Sequence, residues 1–202
     1  MNYEQYIQDD LDRTVRRITD KFSGTDDWSE VDLAAACHLY VRTNVEYEKR
    51  DKNQHRAFRS PREVLDDHAG NCQEQTILLV SLFNSVPTTE VRIVWPRMEN
   101  EVMYMLPEIK FFTNRTGYMG LYNFYKKAEF FSGSPTSFSQ DNFGTEEEEK
   151  AYYIADPSSG DYIGDNSWMV ENGFIATDND SSNKWEYVEE PVFKKTKSLW
   201  AD

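Results

Sequence analysis

The chain has 202 residues, of which 39% are hydrophobic and 14% aromatic, so it can fold as one domain around a single core. Lysines and arginines number 22 against 36 aspartates and glutamates, which gives a formal charge of −14. This charge argues against nucleic acid and anionic membrane surfaces as partners, because both repel an acidic protein. A surplus of acidic side chains is also typical of protein surfaces that stay soluble in high salt.

The start of the chain and its cysteines predict a soluble protein without a metal site. The first residues, MNYEQYIQDDLDR, are polar and acidic where a signal peptide is basic and then apolar, and no apolar run is long enough to cross a membrane. We expect the protein in the cytoplasm or in an assembly. Cys37 and Cys72 form no CxxC pattern and have no cluster of histidines beside them. We therefore expect no metal and no cofactor.

Two helices are predicted in the first 45 residues. Apolar residues recur every three or four positions from residue 3 to residue 22, a spacing typical of an amphipathic helix. After a turn, Ser29 and Asp32 have the spacing of a capping box, and a second helix is expected from there to Val45. Cys37 and His38 lie inside this second helix. We expect Cys37 to pack in the core and His38 to be a semi-buried side chain with its hydrogen bonds satisfied.

The segment RSPREVLDDHAGNC predicts a short helix followed at once by a buried one. Ser60 is the expected N-cap of the short helix, Pro61 its first residue and Gly70 its end. Asn71 then caps the next helix, which has Cys72 in its first turn. The run ILLVSLF that follows is apolar nearly all round, so this helix is predicted to be the buried centre of the domain.

The second half of the chain changes to strands. Residues 90–95, 101–112 and 150–157 have strand character, and a last strand within 184–193 is expected to close the sheet. Pro107 makes the second strand either bent or an edge strand, because proline cannot donate a ladder hydrogen bond. Helices followed by an antiparallel sheet indicate an α+β fold.

An aromatic-rich insertion is predicted at residues 113–149, dividing a single domain of residues 1–202 into core segments 29–112 and 150–193. The aromatic set in and beside it is too large to leave in water. It either builds a subsidiary core or forms a contact surface for another chain. Its members are Phe111, Phe112, Tyr118, Tyr122, Phe124, Tyr125, Phe130, Phe131, Phe138 and Phe143.

Cys72 is a candidate nucleophile because of its position. The first turn of a helix has unpaired N–H groups and a positive dipole end, which lower the pKa of a thiol. The same N–H groups can stabilise an oxyanion. The alternative is that Cys72 is a small hydrophobic residue packed in the core.

Three segments resemble the transglutaminase-like superfamily, whose fold is related to papain. SPREVLDDHAGNCQEQTILLVSLFNSV followed by EVRIVW resembles the family's cysteine helix and the strand after it, and HLYVRTNVEYE resembles the helix that leads into this block. AYYIADPSSGDYIG is similar to the strand that ends at the family's triad aspartate. The resemblance covers residues 33–162. It implies that Cys72 is the nucleophile, that Asp156 orients a histidine, and that an active member attacks amides through an acyl-thioester.

The sequence departs from the family at the general base. The family has a histidine at the start of the strand between the cysteine and the aspartate, which falls near Met103 or Tyr104 here. Neither side chain can replace imidazole, because the base must accept and return a proton near the working pH. The three histidines are His38, His55 and His68, and all precede Cys72.

Three interpretations follow. In the first, the protein keeps the fold without the chemistry and is a binding or structural module for a protein or peptide partner, alone or in a larger assembly. In the second, His68 or His55 reaches Cys72 in space and the protein is a cysteine hydrolase or acyltransferase. In the third, the resemblance to the family is misleading and Cys72 only packs in the core.

Three further residues are candidates for the ligand-binding part of the site. Trp95 and Gln54 can donate hydrogen bonds to an oxyanion, and Tyr104 lies at the family's base position. The alternative for Trp95 is packing against the sheet, and for Gln54 a solvated loop.

Overall fold

The computed structural model describes residues 4–21, 28–49, 58–87, 89–94, 105–111, 120–121, 123–125, 153–165 and 193–194. The helices are Asp12–Thr19 (α1), Glu30–Asn44 (α2), Pro61–Asp67 (α3) and Cys72–Asn84 (α4). The strands are Glu46–Tyr47 (β1), Ala69–Gly70 (β2), Thr89–Val94 (β3), Leu106–Phe111 (β4), Tyr153–Ile154 (β5) and Phe193–Lys194 (β6). Helices with an antiparallel sheet agree with the predicted α+β class. None of these described helices is long and apolar enough to cross a lipid bilayer.

Helix α4 is the buried centre of the described structure, as predicted. Its residues 76–83 have no solvent exposure. The helix packs against α2 and α3 on one side and against β3 and β4 on the other. A helix that is apolar all round is stable in water only when neighbours cover every face, and here two layers do so.

The predicted capping boxes are present. Ser29 Oγ accepts the N–H of Asp32 at 3.2 Å, and Ser60 Oγ accepts the N–H of Glu63 at 3.3 Å. The predicted end of α3 at Gly70 was wrong. The helix ends at Asp67 because His68 takes a left-handed conformation with φ of 54°, and Gly70 instead pairs in the parallel β1–β2 ladder.

The single amphipathic helix predicted over residues 3–22 was wrong as well. A 3-10 turn covers Glu4–Tyr6, and α1 begins only at Asp12. Between them the backbone N–H of Gln8 donates to Ser81 Oγ on α4 at 3.0 Å instead of to a carbonyl of its own helix. A tertiary hydrogen bond thus replaces a helical one, while the apolar residues of this segment still face the core.

The sheet has the strand order β5-β4-β3-β6, and each neighbouring pair is antiparallel. Strand β6 joins the sheet beside β3 and shares Phe193 with the predicted strand 184–193, of which residues 184–192 lie outside the described residues. Of the two alternatives for the strand with Pro107, the edge strand was wrong, because β4 pairs with β3 on one side and β5 on the other. Pro107 pairs with Ile93 of β3, and its carbonyl accepts the N–H of Ala155 at 2.9 Å where the β5 pairing ends. The missing proline N–H therefore costs little.

Part of the predicted insertion lies in the main core. Residues 120–121 and 123–125 are helical, and Leu121, Phe124 and Tyr125 are buried in the same cluster as α2 and α4. Trp28 stands 6.2 Å from Phe124, measured between ring centroids. Phe111 is buried at the end of β4, and the other members of the aromatic set lie outside the described residues.

Candidate functional site

Cys72 is the first residue of α4, and Asn71 caps the helix as predicted. The side-chain oxygen of Asn71 accepts the N–H groups of Gln73 at 3.0 Å and of Glu74 at 3.1 Å. In the opposite direction, the Glu74 carboxylate accepts the backbone N–H of Asn71 at 3.1 Å. This reciprocal box determines where the helix begins and therefore where the thiol is held.

The surroundings of Cys72 raise the pKa of its thiol. The side chain is only partly exposed, and burial is the largest cause, followed by the negative charge of Asp156. Hydrogen bonds from the backbone N–H groups of Gln73, Met105 and Cys72 itself lower the pKa but do not outweigh these effects. The expected lowering by the helix terminus is thus present, and burial overrides it.

Asp156 lies on the loop directly after β5 and is 2% exposed. One carboxylate oxygen accepts the N–H groups of Ser158 at 2.9 Å and Ser159 at 3.3 Å, together with the Ser158 hydroxyl at 2.8 Å. The other oxygen accepts the Ser159 hydroxyl. The residues of the segment DPSS thus form a turn whose N–H and hydroxyl groups bind the Asp156 carboxylate, so its negative charge has a fixed position.

The start of β4 is next to Cys72. The Met105 N–H reaches the sulfur, and the Met105 carbonyl accepts the Thr76 hydroxyl at 2.9 Å. The structure therefore brings the chain just after Met103 and Tyr104, where the resemblance places the base, to the thiol. Met103 and Tyr104 themselves lie outside the described residues, as do Trp95, Gln54 and His55.

The two described histidines point elsewhere. His68 is an exposed residue whose Nδ1 is 3.2 Å from the carbonyl oxygen of Asn44. His38 is fully buried, and its two ring nitrogens lie 3.2 Å from the Asp156 carbonyl oxygen and 3.0 Å from the Tyr125 hydroxyl. Neither histidine hydrogen-bonds to Cys72 in the described part of the chain.

Tyr47 belongs to the site and was missed by the sequence analysis. It pairs with Gly70, two residues before Cys72, and 49% of it is exposed. Burial raises the pKa of its phenol, and so do the charges of Cys72 and Asp156, because all three groups lie within electrostatic range. The segment NVEYE was a signal, since it belongs to a stretch that resembles the family.

Arg59 was also missed. Its guanidinium donates to Glu74 at 2.8 Å and 3.3 Å, to Glu48 at 2.6 Å and to Asp67 at 3.1 Å. Burial raises the pKa of the Glu74 carboxyl, but hydrogen bonds from Arg59 and Asn71 outweigh burial and hold this pKa below its ordinary value. Arg59 thus fastens the start of α4 to α3 and to the residue after β1.

No group of three or more His, Cys, Asp or Glu side chains that could hold a metal ion occurs among the described residues. Among the described residues, the groups that act on Cys72 or lie with it at the site are a carboxylate, a phenol and three backbone N–H groups. These groups can bind a carbonyl or an amide, and none of them is a proton acceptor suited to neutral pH.

A family model described as the transglutaminase-like superfamily matches residues 16–119, slightly more than half of the chain. The matched region contains Tyr47, Arg59 and Cys72 and ends before Asp156. No curated protein and no solved structure gives a significant match.

Proposed function

Because the chain belongs to the transglutaminase-like superfamily, we propose that it is a catalytically impaired member whose Cys72 site binds a protein or peptide partner without cleaving or acylating it. A papain-related arrangement of the cysteine helix and the acid-bearing sheet is part of this proposal. So is the division into core segments 29–112 and 150–193 with an insertion at 113–149, of which Leu121, Phe124 and Tyr125 pack into the main core. The partner is a protein or peptide because the charge of −14 disfavours nucleic acid and anionic membranes. The module acts alone or within a larger assembly.

The observation that carries the proposal is that Cys72 has a carboxylate within electrostatic range and no hydrogen bond from a described imidazole. A cysteine nucleophile at neutral pH needs a group that removes its proton. His38 uses both ring nitrogens on other groups, and His68 uses Nδ1 on Asn44. Burial and the charge of Asp156 keep the thiol protonated. Cys72 is therefore poorly suited to attack an amide.

The surface beside Cys72 supports a binding role. Tyr47 is an exposed aromatic side chain next to a partly exposed thiol. Aromatic residues provide a large contact area at a small cost in side-chain entropy and are frequent anchors of interfaces. The backbone N–H groups around the sulfur offer hydrogen bonds to a carbonyl oxygen of a peptide.

The second candidate function is an active cysteine hydrolase or acyltransferase. It is favoured by the convergence of three backbone N–H groups and Asp156 on Cys72. In this reaction the thiolate attacks an amide carbonyl, the protonated base gives its proton to the leaving amine, and the acyl-thioester passes to water or to another amine. His55 is the histidine that the described residues do not locate, so this candidate depends on it or on His68.

Thiol reactivity separates the two candidates. We expect Cys72 to react with iodoacetamide at pH 7 more slowly than free cysteine, and His55→Ala and His68→Ala to leave that rate unchanged. A denaturant should accelerate the reaction, because it removes the burial that raises the pKa of the thiol. The measurement is mass spectrometry of the peptide that contains Cys72, with Cys72→Ala as the blank. A fast reaction that His55→Ala or His68→Ala abolishes, with release of ammonia from glutamine peptides, would establish the enzyme instead.

Peptide binding tests the other half of the proposal. We expect saturable binding of labelled unstructured peptides, measured by fluorescence anisotropy, and weakening by at least about threefold in Tyr47→Ala. Glu46→Ala is the control, because Glu46 is the exposed neighbour of Tyr47 on β1 and truncating its side chain leaves no cavity in the core. Cys72→Ala should retain binding, since no covalent step is involved. Binding to none of a panel with and without glutamine, or equal binding by Tyr47→Ala, would contradict the proposal.

A further inference from the structure

A buried chain of hydrogen bonds joins three distant parts of the molecule at His38. The Ile163 N–H lies 3.0 Å from Tyr125 Oη, Tyr125 Oη lies 3.0 Å from His38 Nδ1, and His38 Nε2 lies 3.2 Å from the carbonyl oxygen of Asp156. His38 and Tyr125 are both buried in the core. The chain therefore connects α2, the helical residues near 125 and both ends of the turn after β5.

The partners determine the direction of each bond. The Asp156 carbonyl can only accept, so Nε2 of the neutral His38 ring is the donor, and Nδ1 accepts the hydroxyl proton of Tyr125, whose oxygen accepts the Ile163 N–H. His38 then carries its proton on Nε2 and donates it to the Asp156 carbonyl. Burial lowers the pKa of His38 to about 4, so the ring stays neutral near pH 7 and keeps this tautomer.

The Asp156 carbonyl is held from a second side. It accepts the N–H of Gly160 at 3.1 Å, which closes the turn that wraps the carboxylate. A Cβ atom at Gly160 would lie 2.9 Å from this oxygen, so the turn has no room for a side chain there. His38 and Gly160 thus both bond to the backbone carbonyl of Asp156. The side-chain carboxylate of the same residue is the charge that acts on Cys72.

We propose that His38 is a positioning residue that, through the Asp156 carbonyl, fixes the turn that carries the Asp156 carboxylate within electrostatic range of Cys72. The inference rests on the proposed function in taking Cys72 and Asp156 as one site. An apolar side chain of similar volume would fill the space beside Ala34 and Val41 without burying two polar nitrogens, which is costly unless both are paired. What histidine adds is a rigid link with a donor at one end and an acceptor at the other.

The test compares the ionisation of Cys72 in folded variants. In His38→Phe and His38→Leu the bond to the Asp156 carbonyl is lost, so the Asp156 turn relaxes and its charge acts less on the thiol. We expect the inflection in a plot of Cys72 alkylation rate against pH to move to lower pH by about 0.5 unit. His38→Gln should keep the inflection of the unmodified protein, since the amide can accept from Tyr125 and donate to Asp156. Val41→Ala is the control for simple loss of packing on α2.

An inflection in His38→Phe and His38→Leu equal to that of Val41→Ala would overturn the proposal, and so would a shift in His38→Gln as large as in His38→Phe. If His38→Phe does not fold, His38→Leu decides the question. These outcomes differ from a failure of the proposed function, which fails if the unmodified protein reacts fast with dependence on His55 or His68. A shift of the inflection remains measurable in either case.

Discussion

Replacing Arg59 with methionine is expected to lower the free energy of unfolding by about 3 to 5 kcal/mol, the usual cost of removing one partner of a buried ion pair. Arg59 is 7% exposed and Glu74 is 4% exposed, so the carboxylate left behind has little access to water. Methionine fills much the same volume, which separates the loss of charge from the creation of a cavity. The bond from the Arg59 backbone N–H to Glu74 at 3.1 Å remains. Chemical denaturation monitored by circular dichroism measures the difference.

Arg62→Met is the matched control. Arg62 lies three residues away and pairs with Asp10, but both side chains are mostly exposed. Exposed pairs contribute less than about 1 kcal/mol, so this variant should be nearly as stable as the unmodified protein. Equal losses in the two variants would show that the burial of Arg59 has no special effect.

The effect of Arg59→Met is also expected to depend on pH. The folded protein holds the pKa of Glu74 below its ordinary value, so the stability from this carboxylate is present above about pH 4.3 and is lost as the pH falls through the lowered value. Once Glu74 is protonated, Arg59 no longer offsets a buried charge. The difference in free energy of unfolding between the unmodified protein and Arg59→Met should therefore narrow as the pH falls from 7 through the lowered pKa of Glu74. A constant gap would contradict this account of Glu74.

Local signals in the sequence predicted the helix that carries Cys72. Ser60 and Asn71 cap helices through side chains that bond to N–H groups two or three residues away, and such patterns are visible in the sequence itself. The apolar run after Cys72 likewise indicated a helix covered on all sides. These features made the start of α4 predictable.

The features that failed depend on residues far apart in the chain. The first helix breaks because Gln8 bonds to Ser81, 73 residues later. Arg59 could not be recognised as the partner of Glu74, since its segment carries no local pattern that singles it out. Strand β4 contains Pro107 and still pairs with β5, because that pairing ends at the proline. Periodicity does not contain these long-range contacts, which arise only when the elements pack.

His38 shows the same limit at the site. We expected a semi-buried side chain with satisfied hydrogen bonds; its ring nitrogens are bonded, and the side chain is fully buried. Its bond to the Asp156 carbonyl spans 118 residues and follows from the way α2 packs against the turn after β5. The His38 ring can therefore pack in the core and also position Asp156. Its hydrogen-bond partner on the distant turn is visible only in the structure.

The charge of Asp156 has opposite effects on Cys72 in the two candidate functions, so its removal discriminates between them. In an active member the aspartate orients a histidine, and Asp156→Asn would slow every reaction of the thiol. In the impaired member no histidine intervenes, and the charge of Asp156 raises the pKa of Cys72 directly. Asp156→Asn should then lower the pKa of the thiol by about one unit. The asparagine can still accept the N–H groups of Ser158 and Ser159, so the turn is expected to remain.

We therefore expect Asp156→Asn to react faster than the unmodified protein with a small neutral disulfide such as 4,4′-dithiodipyridine at pH 7. A fall of one unit gives about ten times more thiolate, while each thiolate becomes about threefold less nucleophilic, so the net gain is about threefold. Asp161→Asn is the control, since Asp161 lies on the same loop but is exposed and pairs with Arg42. A slower reaction in Asp156→Asn, with Asp161→Asn unchanged, would mean that the carboxylate supports a base at Cys72 and that the site is catalytic.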